Sequence, residues 1–83
     1  MDNKKVHKVI VYSTPTCGFC HMAKDMFTEE GIPFTDKNVQ ADLEARQEMF
    51  GKTGGPTGVP VIDIDGTIIV GFDEEKVRSL LGL

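Results

Sequence analysis

The sequence predicts a single α/β domain, residues 1–83, with its elements in the order β-α-β-α-β-β-α. Three observations carry that reading. β-branched residues run unbroken through Val9-Ile10-Val11, then a helical repeat follows, then a second, looser extended stretch. A helix between two such strands is a β-α-β unit, whose strands run parallel with a right-handed crossover. Further on, Asp65-Gly66 separates two apolar runs, the signature of a two-residue hairpin turn.

The first strand is read from Val6 to Tyr12. Its apolar residues are not alternated with polar ones, which suits a strand buried on both faces. Ser13-Thr14-Pro15-Thr16 breaks it. A helix is predicted from Cys17 to Glu30. Phe19, Met22, Ala23, Met26 and Phe27 fall on one side of a 3.6-residue repeat. Thr16 is the expected N-cap and Gly31 the expected stop. Ile32 to Val39 is the second strand. Ala41 to Lys52 is a second helix with an apolar side of Leu43, Met49 and Phe50. After the breaker Thr53 to Gly58, Val59 to Ile64 and Thr67 to Val70 form the hairpin. Asp73 caps a third helix, Glu74 and Glu75 suit the positive end of its dipole, and Val77, Leu80 and Leu81 are its apolar side.

Composition narrows the function. A chain of 83 residues buries only roughly 60–65% of the surface its unfolded form exposes, so a shallow surface site is expected rather than a deep pocket. The net charge of −4 argues against nucleic-acid binding, which needs cations to displace phosphate counterions. The basic residues around Lys4, Lys5, His7 and Lys8 read as a solvated terminus. No segment resembles a signal peptide or a membrane span, so a cytoplasmic location, with no membrane partner, is expected. Thiols are kept reduced there, which makes two cysteines catalytic or metal-binding rather than a structural staple.

Those two cysteines are the most informative residues. Cys17-Gly18-Phe19-Cys20 places two thiols three positions apart where a strand passes into a helix. At a helix start, free N–H groups and the dipole stabilise an anion. Cys17 should therefore ionise more readily than a free thiol, and the thiolate is the species that attacks disulfides. Cys20 lies on the side leading to Ala23 and Phe27 and should be buried. Cys17 is thus the candidate nucleophile and Cys20 the candidate resolving thiol. A structural zinc needs four ligands. The only other suitable candidates are His7 and His21. His21 points about 100° away from Cys20 around the helix, so a closed site within one chain is not expected. A site shared between chains stays open. His21 and Lys24 read as solvated helix positions.

Gly58-Val59-Pro60 precedes an apolar strand. By chemistry alone a Val–Pro bond is cis in only about 5–6% of cases. Together, Tyr12-Ser13-Thr14-Pro15-Thr16-Cys17-Gly18-Phe19-Cys20, Gly58-Val59-Pro60-Val61, Asp65-Gly66 and Val70-Gly71-Phe72-Asp73 resemble a glutaredoxin-like family of bacteria and archaea. It is sometimes called the YruB type and is close to the NrdH-redoxins. The resemblance spans nearly the whole chain. It implies a thioredoxin-like fold, with a four-stranded mixed sheet flanked by three helices. It implies a cis bond before Pro60, on a loop facing Cys17. It also implies substrate contacts from Thr16, Phe19, Val59, Pro60, Gly71, Phe72 and Asp73. Val59 would pair its backbone with a bound peptide or glutathione, a short form of strand addition.

The family implies a thiol–disulfide oxidoreductase acting on protein disulfides. No bound cofactor is expected, and either glutathione or a flavoprotein such as thioredoxin reductase would supply electrons. Many glutathione-using members carry a lysine where this chain has Thr14-Pro15-Thr16, and Gly-Gly where it has Gly71-Phe72. Both departures lean toward a redoxin recycled by a reductase. A second reading is an iron–sulfur protein, because Cys-Gly-Phe-Cys resembles the Cys-Gly-Phe-Ser motif of monothiol glutaredoxins. Cluster ligation needs four ligands, whereas this chain offers two thiols. A monomer is expected from the acidic surface.

Overall fold

The computed structural model describes residues 7–83. Its elements follow the predicted order: β1 (Val9–Ser13), α1 (Gly18–Glu29), β2 (Thr35–Asn38), α2 (Leu43–Thr53), β3 (Val61–Ile64), β4 (Thr67–Val70) and α3 (Glu74–Leu81). The strand order is β2-β1-β3-β4. β1 is parallel to β2 and antiparallel to β3, and β3 is antiparallel to β4. This is the mixed four-stranded sheet the resemblance implies. Val6, read as the start of the first strand, and the basic residues Lys4 and Lys5 lie outside the described residues.

Burial follows from the central position of β1 and β3, whose residues are all buried. Successive side chains of a strand point to opposite faces. Val9 and Val11 therefore join Ala23, Met26, Phe27 and Val77 in a core beneath α1 and α3. Ile10 and Tyr12 join Ala45 and Met49 in a second core beneath α2. The uninterrupted apolar run of β1 is the sequence trace of this two-sided burial. Phe34 closes the first core, its ring 5.6 Å from that of Phe27.

Several boundaries and faces differ from the sequence reading. Thr16 is exposed, and Cys17 is the N-cap of α1. A turn in which Cys17 N donates to Thr14 O at 3.3 Å leaves Cys17 as the last extended residue before the helix. Gly31 does end α1, with φ 71°. Phe19 and Met22 are exposed, whereas Cys20, Ala23, Met26 and Phe27 are buried. Met22 sits at the margin of the packed stripe, and Phe19, in the first turn, meets no covering layer. Leu43 is exposed too. It is the first residue of α2, whose buried side is Ala45 and Met49, one turn apart. The regular part of the second strand is shorter than Ile32 to Val39, because Pro33 has no N–H to give to a ladder. β3 begins at Val61 rather than Val59 for the same reason at Pro60.

Asp65 and Gly66, with φ 52° and 95°, make the predicted turn between β3 and β4. A second device ties α2 to the sheet. The Lys52 ammonium lies 2.7 Å from the buried Asp63 carboxylate and 5.1 Å from the centre of the Tyr12 ring. Tyr12 donates its hydroxyl hydrogen bond to Glu48, which Lys37 also approaches. Burial works against the charge on Lys52, but the hydrogen bonds and charges of Asp63 and Tyr12 together outweigh it and raise the lysine pKa. Burial and the Glu48 carboxylate raise that of Tyr12.

Candidate active site

Cys17 and Cys20 are joined as a disulfide at the start of α1, with their Cα atoms 5.2 Å apart. The two sulfurs have different surroundings. Cys20 is fully buried under the helix, whereas Cys17 is half-buried. Cys17 Sγ also accepts the backbone N–H of Cys20 at 3.1 Å. That N–H is one of the four that a helix start leaves without an internal partner. The sulfur thus occupies the place that a serine or aspartate oxygen takes in an ordinary cap.

The loop before Cys17 is pinned from both sides. Ser13 O accepts from Val39 N at 2.9 Å. The Ser13 hydroxyl donates to Asp36 at 2.7 Å, and Lys24 reaches the other oxygen of Asp36 at 2.9 Å. Burial raises the Asp36 pKa, but the hydrogen bonds from Ser13 and Lys24 overcome it and hold the carboxyl below its usual range. Lys24 is thereby directed to β2 rather than toward Cys17. His21 is an exposed helix residue whose Nε2 donates to Pro15 O at 2.9 Å. Nothing in the sequence pattern pointed to Asp36, Ser13 or His21 as supports for this loop. Only the parallel register of β1 on β2, which sets Ser13 opposite Asn38, brings Ser13 and Asp36 together.

The remaining expected site residues gather at one end of the sheet. Tyr12 pairs with Val61, and Val61 with Val70. One step further in that register stand Ser13, Pro60 and Gly71, at the end from which the β1–α1 loop departs. The Val59–Pro60 peptide is cis, as the resemblance implies. Pro60 O accepts from Gly71 N at 2.7 Å. Gly71 has φ 92°, a conformation that side chains with a Cβ resist. Among the described residues, the N–H and C=O of Val59 have no backbone partner. Val59 and Gly58 line a shallow groove of about 340 Å³ with Thr14, Arg46, Met49 and Phe50. Sequence reasoning missed Arg46, whose guanidinium has no side-chain partner among the described residues. A lone arginine on a helix surface carries no signal of its own.

Phe19 lies exposed within the Cys17–Cys20 segment, and Phe72 is half-buried against the main core. Asp73 caps α3, its carboxylate accepting Lys76 N at 3.3 Å. Among the described residues, no three His, Cys, Asp or Glu side chains cluster closely enough to hold a metal ion. A larger cavity, about 410 Å³, is lined by His7, Ile32, Pro33 and Leu81. It adjoins the start of β1, the opposite end of the sheet from Cys17.

A half-exposed sulfur on a helix N-terminus, backed by a buried partner sulfur in a thioredoxin-like sheet, defines a thiol–disulfide oxidoreductase of the redoxin class. The glutaredoxin family model matches residues 9–69, so the chain belongs to the glutaredoxin family. It is 44% identical over 71 residues to an uncharacterized glutaredoxin-like 8.6 kDa protein in the rubredoxin operon of Clostridium pasteurianum, covering 86% of this chain and 93% of that one. It is 36% identical over 66 residues to glutaredoxin 3 of Escherichia coli (strain K12), covering 80% and 78%. Among solved structures, a variant of the thioredoxin-like protein BC3987 superposes with a TM-score of 0.84 at 28% identity, over 90% of this chain and 95% of that one.

Proposed function

We propose that the protein reduces protein disulfides by a two-thiol mechanism. Cys17 is the nucleophile, Cys20 the resolving residue, and a flavoprotein disulfide reductase the donor. The observation that carries this reading is the Cys20 N–H directed at Cys17 Sγ. In the reduced protein the same donor would hold a thiolate.

The thiolate attacks one sulfur of the substrate disulfide. A bond forms between Cys17 Sγ and that sulfur, and the other leaves as a thiolate that takes up a proton. Cys20 then loses its proton and attacks Cys17 Sγ, expelling the first substrate sulfur as a second thiol. Two electrons pass to the substrate, and the protein is left as the Cys17–Cys20 disulfide. Burial of Cys20 keeps it from competing for substrate in the first step. The unpaired backbone of Val59 would hold the substrate chain as an added strand. Thr16, Phe19, Pro60, Gly71, Phe72 and Asp73 would frame it.

The donor assignment rests on what surrounds the disulfide. Thr14-Pro15-Thr16 carries no cation, and Lys24 is paired with Asp36. Arg46 in the neighbouring groove favours a second reading, in which the carboxylates of glutathione are recognised there. A coupled assay separates them. NADPH oxidation with thioredoxin reductase should exceed that with glutathione reductase and glutathione; the reverse order would assign glutathione. Cys20→Ser should accumulate a mixed disulfide between Cys17 and a model substrate, seen by mass spectrometry. A variant that turns over like the parent would overturn the two-thiol roles.

A further inference from the structure

An apolar strip leads away from the disulfide along the α1–α3 side. Phe19 is 63% exposed and Met22 is 52% exposed. They are three residues apart on α1, hence neighbours on its surface. Met22 shares a cleft with Phe72, the residue after the Gly71 turn. Exposed phenylalanine and methionine side by side are uncommon on a surface that touches only water, and they mark contact sites.

The rim of this strip is predominantly acidic, although Arg78 also lines the cleft and Lys76 stands exposed on α3. Asp25 and Glu29 line the Met22–Phe72 cleft with Glu74. Asp73 and Glu75 stand exposed at the start of α3. Arg78 is held between Glu30 and Glu74, and Lys24 is turned to Asp36 on the other side of α1. An apolar centre with an acidic border fits a partner with an apolar centre and a basic border. A second copy of this chain fits poorly, because a two-fold pairing would set the same carboxylates against each other.

We infer that the Phe19–Met22–Phe72 strip is the docking surface for the protein disulfide substrate, and that its acidic rim selects disulfides flanked by lysine and arginine. This rests on the disulfide-exchange reading above. The strip starts inside the Cys17–Cys20 segment, so a chain lying on it brings its own sulfur to Cys17.

The test uses the pre-reduced protein, rapid mixing and acid quench, so that no electron donor is involved. Two peptides share one intramolecular disulfide and differ only in flanking lysines or glutamates. Neutral hydroxyethyl disulfide is the third substrate. The lysine peptide should react at least about tenfold faster than the glutamate peptide at low salt, as charge steering allows. The ratio should collapse near about 1 M salt, where the screening length is about 3 Å. Asp25→Lys with Glu29→Lys should abolish the preference while leaving the hydroxyethyl disulfide rate unchanged. Equal peptide rates, a preference for glutamate, or a preference that survives the double substitution would each overturn the inference. A glutamate preference would move docking to the Arg46 groove. Failure to reduce hydroxyethyl disulfide would instead refute the exchange chemistry itself.

Discussion

Replacing Lys52 with alanine should destabilise the fold by about 3 kcal/mol. The ammonium lies 2.7 Å from Asp63 Oδ2, and the two side chains are only 27% and 11% exposed. Taking an effective dielectric constant of about 20, a pair at that distance attracts by roughly 6 kcal/mol before desolvation is charged against it. Truncation removes the attraction but leaves Asp63 in place. Its carboxylate then keeps one donor, the Gly66 N–H at 2.8 Å, inside a residue that is 8% exposed. Breaking a buried pair from one side costs about 3–5 kcal/mol, and the low end applies because Lys52 still touches water. Urea titration reads the effect as a lower midpoint with an unchanged slope, and heating as a fall of roughly 12–24 °C for a domain of this size. Lys52→Ala combined with Asp63→Asn should recover part of the loss, since no buried charge is then orphaned. The Lys52 pKa is raised in the folded protein. Its contribution is therefore complete below the unfolded value of about 10.4 and fades only as pH rises through the folded value, so the loss should be equal at pH 6 and pH 8. A loss under about 1 kcal/mol, or strictly additive single and double variants, would refute the reasoning.

Two further outcomes follow from the site. In the reduced protein, iodoacetamide should modify Cys17 before Cys20, with a pH midpoint below the free-thiol value of about 8.5; a midpoint at or above it would show that the helix start does not stabilise the thiolate. Asp36→Asn should blunt acid destabilisation. The Asp36 pKa is lowered in the fold, so its contribution is present above the unfolded value of about 3.9 and is lost as pH falls through the folded one. The side chain is 41% exposed, which keeps the effect under about 1 kcal/mol. Urea midpoints at pH 3 and pH 7 should therefore differ less in the variant than in the parent; an equal difference would remove Asp36 from the account.

Element types were legible because they depend on local pattern. The apolar run of β1, the 3.6-residue repeat of α1 and the Asp65-Gly66 turn each act within a few residues. The placement of Cys17 ahead of Cys20 at a helix start was legible for the same reason. What escaped depends on register and on where packing ends. Phe19 and Met22 obey the helical repeat yet face solvent, because periodicity reports direction around a helix and not whether anything lies opposite. Asp36, Lys24 and Ser13 come from three elements, and only the pairing of β1 with β2 brings them together. Thr16 looked like a better cap than Cys17 because its hydroxyl is the commoner acceptor. The turn closed by Thr14 decided otherwise.

That last difference bears on the chemistry. Had Thr16 capped α1, its oxygen would have consumed a free N–H at the helix start, and Cys17 would have sat inside the first turn. With Cys17 as the cap, the reactive sulfur and the cap acceptor are one atom. In the disulfide that atom is neutral and accepts weakly. As a thiolate it carries a full charge toward the same N–H and the same dipole, and hydrogen bonds to ions are roughly twice as strong as neutral ones. Reduction therefore tightens the start of α1, and the fold favours the form that attacks. A cap acceptor that gains charge on reduction couples helix stability to redox state with no moving part. Cys17→Ser, which keeps an acceptor, should retain α1 stability that Cys17→Ala loses, by about 1 kcal/mol in urea unfolding. Equal stabilities of the two variants would separate the sulfur from the cap.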